Sequence, residues 1–406
     1  MTATRLLSLA FVLPAAAALF AGACGGDGMM MPPHDTSLHM YEADDPNIQY
    51  TGRIDFTNPK YPRFALGATY VTARFNGTGV SVVLKDEHRY GKWRNYYDAI
   101  VDGMVVKKLR PDDDVTIIKY EVATALPYGA HVVTIVKRTE PNVGVGYFGG
   151  FEIAGTLDTP PARPAHKLLF FGDSITAGSG IEVPDGDPGC SADEWGQPVM
   201  NADLAYGPVA ARMLDADYHV LGVSGIGLVR DYNSDPSKGD TRTMYEVQNL
   251  TFPEPDPRPS TAIWPAADYQ PDAIVVALGT NDFSPGPLNA DNTPADGRAI
   301  MPVATFVTTY IAFVDNLRIS YPAAQIFLMS SPMLADGWPM ATYKSKSDLE
   351  AALAMVEDHF VTGGDTKLHK VLVSKVGGGC GTHPNVAGQA MTATELVAAV
   401  KPALGW

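Results

Sequence analysis

The second half of the chain is a series of short apolar runs that each stop at a small or polar loop. This pattern constrains the fold more than any other feature. Leu168 to Phe171 stops at Gly172, and Tyr218 to Val223 stops at Ser224-Gly225. Ala273 to Leu278 stops at Gly279-Thr280-Asn281-Asp282, and Gln325 to Met329 stops at Ser330-Ser331-Pro332. Val371 to Val376 offers a fifth run. Helical patterns lie between and after them, at Leu204 to Leu214, Phe306 to Ile319, Asp348 to Phe360 and about Asn385 to Val400. Strand and helix in alternation predict a parallel sheet with helices on both faces. In such sheets functional groups gather beyond the carboxyl ends of the strands, where the polar loops fall. The pattern predicts an α/β domain over residues 166–406.

The first half reads as all-β over residues 38–157. Alternating runs such as Val71 to Phe75, Val80 to Leu84, Ala99 to Asp102 and His131 to Val136 are separated by turn residues, including Asn76-Gly77-Thr78-Gly79, Asp102-Gly103 and Tyr128-Gly129. Many short strands at this spacing predict a β-sandwich. Residues 158–165 hold Pro160, Pro161 and Pro164 and read as a linker, because proline cannot join a central strand.

The N-terminus reads as an export segment over residues 1–23. Arg5 supplies the positive charge, Leu6 to Phe20 is apolar, and Ala21-Gly22-Ala23-Cys24 follows. The pattern resembles a bacterial lipoprotein signal with Cys24 as the lipidated residue, and an ordinary signal peptide with Cys24 incidental is the other reading. Residues 24–37, rich in Gly, Met and Pro, read as a flexible tether. The chain is thus expected outside the cytoplasm, touching a membrane only through a lipid on Cys24. Of three cysteines, Cys190 and Cys380 then remain as a pair. In an oxidising compartment such a pair is expected as a disulfide, with two buried thiols as the alternative. The net charge of -15 argues against non-specific nucleic-acid binding and suits a neutral substrate. The nine histidines are scattered without metal-ligand spacing, so neither metal nor cofactor is expected. The sequence sets no oligomeric state.

Ser174 follows the first apolar run in Gly172-Asp173-Ser174-Ile175-Thr176. A strand-to-helix turn here would expose its hydroxyl and aim backbone N–H groups at developing negative charge. Thr176 stands where a G-x-S-x-G elbow needs its second glycine, so that motif is absent. The order of blocks carries more weight: Gly-Asp-Ser after one run, Ser224-Gly225-Ile226-Gly227 after the next, Gly279-Thr280-Asn281-Asp282 after the third, and Gly381-Thr382-His383-Pro384-Asn385 before the last helix. At these residues the chain resembles the SGNH or GDSL hydrolase superfamily, from about Leu168 to the C-terminus. The resemblance implies a flavodoxin-like sheet, Ser174 as nucleophile and His383 as base. It also implies an oxyanion hole made by the N–H groups of Ser174 and Gly225 and the Asn281 side chain. Asp173 and Asp282 are expected to organise loops by accepting backbone N–H bonds.

The superfamily's usual Asp-x-x-His pattern is broken, because Cys380 stands three residues before His383. The imidazole still needs an acceptor on its second nitrogen. A backbone carbonyl is favoured, giving a Ser–His dyad, and a distant Asp or Glu is the alternative. A Cys190–Cys380 disulfide would hold His383 near Ser174.

The segments Tyr50 to Asp55, Pro62 to Ala65, Lys137-Arg138-Thr139-Glu140, Val223 to Arg230 and Gly379 to Asn385 resemble carbohydrate esterase family 2. That family joins a jelly-roll sandwich to an SGNH domain. The resemblance implies removal of O-acetyl groups from sugars such as xylan or glucomannan, with preference for the 6-position. The alternatives are a lipase, thioesterase or acyltransferase on the same site, or a glycan-binding protein. Trp338 and Trp195 are candidate sugar platforms, with ordinary packing an equal reading for each.

Overall fold

The computed structural model describes residues 34–88, 92–112, 116–190, 197–232, 243–253 and 262–406. Cys24, the export segment and Trp195 lie outside the described residues. From Asp35 to Trp406 the chain forms one compact unit.

The first part holds β1 (Leu38–Glu42), β2 (Gln49–Thr51), β3 (Arg63–Phe64), β4 (Tyr70–Asp86), β5 (Tyr97–Val101), β6 (Met104–Leu109), β7 (Ile118–Ala123), β8 (Gly129–Lys137) and β9 (Gly146–Asp158). Every pairing among them is antiparallel. The long strand β4 corrects one expectation. Asn76 to Gly79 is no turn; it is a bulge within a continuous strand of 17 residues. Val71, Ala73 and Phe75 are buried before it, and Val80, Val82 and Leu84 after it. The extra residue flips the parity of the inward face, as a bulge must. Glycine is needed for close approach, because a Cβ on Gly77 would overlap the Ala154 carbonyl of β9. Before the bulge β4 pairs with β2 and β8 and beyond it with β7, while β9 runs alongside from Arg74 to Asp86. Asp102-Gly103 does form a hairpin turn, both residues having positive φ.

The second part holds β10 (His166–Gly172), α1 (Tyr206–Met213), β11 (Ala216–Gly222), α2 (Met244–Val247), β12 (Ala273–Ala277), α3 (Thr280–Phe283), α4 (Val303–Ser320), β13 (Gln325–Met329), α5 (Ser345–Thr362), β14 (Leu368–Val371) and α6 (Val386–Leu404). The sheet is parallel in the order β11-β10-β12-β13-β14, the flavodoxin-like order. Alternation along β10 sorts the core. Leu169 and Phe171 join Phe313 of α4 and Leu353 of α5 on one face. Leu168 and Phe170 join Ala210 of α1 and Leu396 of α6 on the other. The fifth strand ends at Val371, where the expected run began. Pairing with Ile326 to Met329 fixes it over Leu368–Val371. Beyond it, Val373 N–H turns to Ser330 Oγ and Ser374 N–H to Glu395.

The two parts are joined by charged groups, Arg53 and Arg138 buried and Arg163 exposed. Arg53, 2% exposed, donates to Leu250 O at 2.6 Å. Arg163 pairs with Asp217, and Arg138 pairs with both Asp98 and Glu182. Such groups are costly to bury unless every partner is in place, so they fix one domain on the other in a specific register.

Candidate active site

The chain leaves β10 at Gly172, where a Cβ would overlap the Thr176 hydroxyl, so only glycine fits. Ser174 follows and is nearly buried. The expected helix after it is absent; the segment is a run of turns. Ala177 N–H bonds Asp173 O and Ser179 N–H bonds Ser174 O, but Gly178 and Gly180 then take positive φ and stop any helix. Both glycines are forced by close approach, Gly178 to the Asn201 backbone and Gly180 to Cys380.

His383 reaches this turn from the loop before α6. Its Nε2 lies 2.7 Å from Ser174 Oγ, and its Nδ1 lies 2.8 Å from Cys380 O. A carbonyl only accepts, so Nδ1 carries the proton and Nε2 presents its lone pair to the serine hydroxyl. The partner of Nδ1 is thus a backbone carbonyl, three residues back in the chain. Burial lowers the His383 pKa, opposed by the bond to Cys380 O and by the charge of Asp185. The imidazole is thus held neutral.

The loop that carries His383 is tied down at several points. Cys380 is bonded to Cys190, with Cα atoms 5.5 Å apart. Cys380 N–H donates to Gly180 O, and Gly381 N–H donates to Asp185 Oδ1 at 2.8 Å. Gly379 N–H closes the loop on His383 O at 2.7 Å. These restraints hold Gly381 and Thr382 in consecutive left-handed conformations, which a β-branched residue rarely adopts. Asp185 was not singled out in the sequence, for no motif marks it.

Gly225 follows β11 at φ +79°, with its carbonyl accepting Tyr232 N–H at 2.7 Å. Asn281 lies in α3, beyond β12, and donates one amide hydrogen to Ile226 O at 2.8 Å, which fixes the side chain. Asp282 accepts the N–H groups of Leu228, Val229 and Arg230, and Asp173 Oδ1 accepts that of Ile175. Both aspartates thus organise loops as expected. Burial raises the Asp282 carboxyl above its usual range and pushes Asp173 up to about 6.

Ser174, Gly225, Asn281 and His383 line one cleft of about 1410 Å³. Trp338 lies on its wall, 57% exposed. The sequence reading missed Glu140 and Asn142, which enter this cleft from the sandwich. The Lys137-Arg138-Thr139-Glu140 segment was the available signal.

This arrangement defines a class: a serine hydroxyl beside a neutral imidazole, at the carboxyl edge of a parallel sheet. Comparison with known proteins narrows it. The model of the GDSL-like lipase/acylhydrolase family matches residues 170–391, and the model of the carbohydrate esterase 2 N-terminal region matches residues 50–161. The chain belongs to the GDSL-like lipase/acylhydrolase family. It is 31% identical over 371 residues to the cellulase/esterase CelE of Acetivibrio thermocellus, covering 90% of this chain and 40% of that one. It is 28% identical over 372 residues to an acetylxylan esterase/glucomannan deacetylase of Cellvibrio japonicus, covering 89% of this chain and 93% of that one. A solved family two carbohydrate esterase from Clostridium thermocellum, in complex with cellohexaose, matches with TM-score 0.76 at 28% identity, over 88% of this chain and 99% of that one.

Proposed function

We propose that this protein is a carbohydrate esterase that removes O-acetyl groups from a polysaccharide or oligosaccharide of the xylan or glucomannan type. The observation that carries the proposal is the bond of 2.7 Å from Ser174 Oγ to a neutral His383, whose other nitrogen is fixed on Cys380 O. His383 takes the serine proton as Ser174 Oγ attacks the acetyl carbonyl. The oxyanion is held by the N–H groups of Ser174 and Gly225 and by the second amide hydrogen of Asn281. The imidazolium is supported by the Cys380 carbonyl in place of a carboxylate. It returns its proton to the sugar oxygen as the C–O bond breaks, leaving an acetyl-enzyme. A water then attacks, giving its proton to His383, and acetate leaves as Ser174 regains its hydrogen.

Trp338 supplies an exposed aromatic face on the cleft wall for the apolar side of a pyranose. The cleft volume of about 1410 Å³ leaves room for a carbohydrate chain beyond the acetyl group. The N-terminal pattern of Arg5, Leu6 to Phe20 and Cys24 supports export, with a lipid anchor at Cys24.

The test is acetate release from acetylated xylan and glucomannan, comparing wild type with Ser174→Ala. Release should fall by about a million-fold on losing the nucleophile, as in other serine hydrolases. Unchanged release in the variant would overturn the mechanism. Brisk cleavage of long acyl esters with none of acetylated sugars would overturn the substrate class.

A further inference from the structure

The segment Lys137 to Glu140 leaves β8 of the sandwich, yet it ends inside the cleft of the other domain. Glu140 is 1% exposed. Its Oε2 accepts the backbone N–H of Ser224 at 2.5 Å. Asn142 Nδ2 lies 3.4 Å from the same oxygen and 3.5 Å from Ser224 O. Two side chains of the sandwich therefore face both backbone edges of Ser224. A peptide unit is planar and trans, so the direction of the Ser224 C=O sets that of the Gly225 N–H on the opposite edge. Beyond it, the Gly225 carbonyl is fixed by Tyr232 N–H. Glycine at φ +79° has wide conformational freedom, and without such anchors its N–H would sample many directions.

The cost of burying the Glu140 carboxylate is offset locally. Lys137 is fully buried, and its ammonium donates to Thr139 O at 2.7 Å, Thr139 Oγ1 at 3.2 Å and Glu140 O at 3.3 Å. This knots the turn and places a positive charge near the carboxylate. Arg138 anchors the same segment separately, through Asp98 and Glu182 and through its carbonyl to Ala202 N–H. Glu140 is thus the member of the motif whose side chain acts at the site rather than at the domain junction.

We propose that Glu140 is a positioning residue for the oxyanion hole: it holds the Val223–Ser224 peptide by the Ser224 N–H and, through Asn142 on the Ser224 carbonyl, keeps the Gly225 N–H facing the reacting carbonyl oxygen. The inference rests on the role proposed above for Gly225. The sandwich is then a working part of the catalytic site.

The test uses the full chain with Glu140→Ala, Glu140→Asp and Glu140→Gln, measuring kcat and KM for 4-nitrophenyl acetate. It adds the rate of Ser174 modification by a phosphonate ester, whose oxygen occupies the hole. Asp keeps the charge but withdraws the acceptor by one methylene, while Gln keeps the reach and loses the charge. Ala and Asp should lower kcat about 10- to 100-fold, below the loss for deleting a donor outright. KM should stay within about twofold, and phosphonate modification should slow in parallel. Gln should recover most of kcat. If Ala fails to fold, the Asp and Gln pair decides. A folded Ala or Asp variant with wild-type kcat, or Gln more damaged than Asp, would overturn the proposal. Ser174→Ala run alongside separates the two readings. If it stays active, the parent mechanism fails; if it is inactive while the Glu140 variants match wild type, only this inference fails.

Discussion

The two loops that meet at Ser174 are restrained in opposite ways. Ser224-Gly225 is gripped from within, by the buried carboxylate of Glu140 and the amide of Asn142. The His383 loop is held from outside, by the Cys190–Cys380 bond, by backbone pairing to Gly180 and by the Asp185 carboxylate on the Gly381 N–H. Exposure explains the contrast. Gly381 and Thr382 are exposed, so water competes with the Asp185 clamp there, and a covalent link does not weaken in water. The Ser224-Gly225 loop lies against buried Glu140, where a charge-assisted hydrogen bond keeps its strength. An enzyme can therefore fix a donor by burial and a base by cross-linking, and the two should fail differently.

The largest effect is expected where the interior grip meets the reacting atoms. Asn281→Ala should lower kcat about 100- to 1000-fold with little change in KM, as for other oxyanion donors. Steady-state kinetics on an acetylated substrate check this, and an equal loss in KM alone would break the comparison. Next comes the cross-link. Replacing Cys190 and Cys380 together by Ala should cost about 5 kcal/mol of unfolding free energy in the loop-entropy model, since the bond closes a span of 190 residues. Urea denaturation measures it. The same variant should lose about tenfold in kcat, because a base displaced by about an ångström is costly. Retained kcat would mean that Asp185 and the backbone bonds suffice.

The smallest effect is in pH. The proposed mechanism needs neutral His383, whose folded pKa is lowered by burial below the ordinary 6.5. Activity is lost as pH falls through that lowered value, so the enzyme should stay active somewhat below pH 6.5. The acid limb of kcat/KM against pH reports it. A limb above 6.5 would imply a carboxylate beside the imidazole in place of the Cys380 carbonyl.

Much of this site was legible in the chain. Ser174, Gly225 and Asn281 stand just beyond β10, β11 and β12, and apolar runs bounded by polar loops mark such strand ends well. Errors arose where one residue type serves two purposes. Asn76 to Gly79 has turn composition, but its glycines allow β4 to lie close against β9. The turns after Ser174 contain Gly178 and Gly180, which respond to Asn201 and Cys380, distant in sequence. Val371 to Val376 alternates like a strand, but pairing with β13 is exhausted at Val371.

The sequence by itself determined the kinds of elements and the residues carrying reactive side chains, because periodicity and side-chain chemistry belong to consecutive letters. Tertiary structure alone decided how those side chains are aimed. Every residue has the same carbonyl and, proline apart, the same N–H, so no letter says which carbonyl will orient His383 or which N–H Glu140 will hold. Cys380 shows the division: its sulfur was readable as half of a cross-link, while the atom of Cys380 that touches His383 is its backbone oxygen.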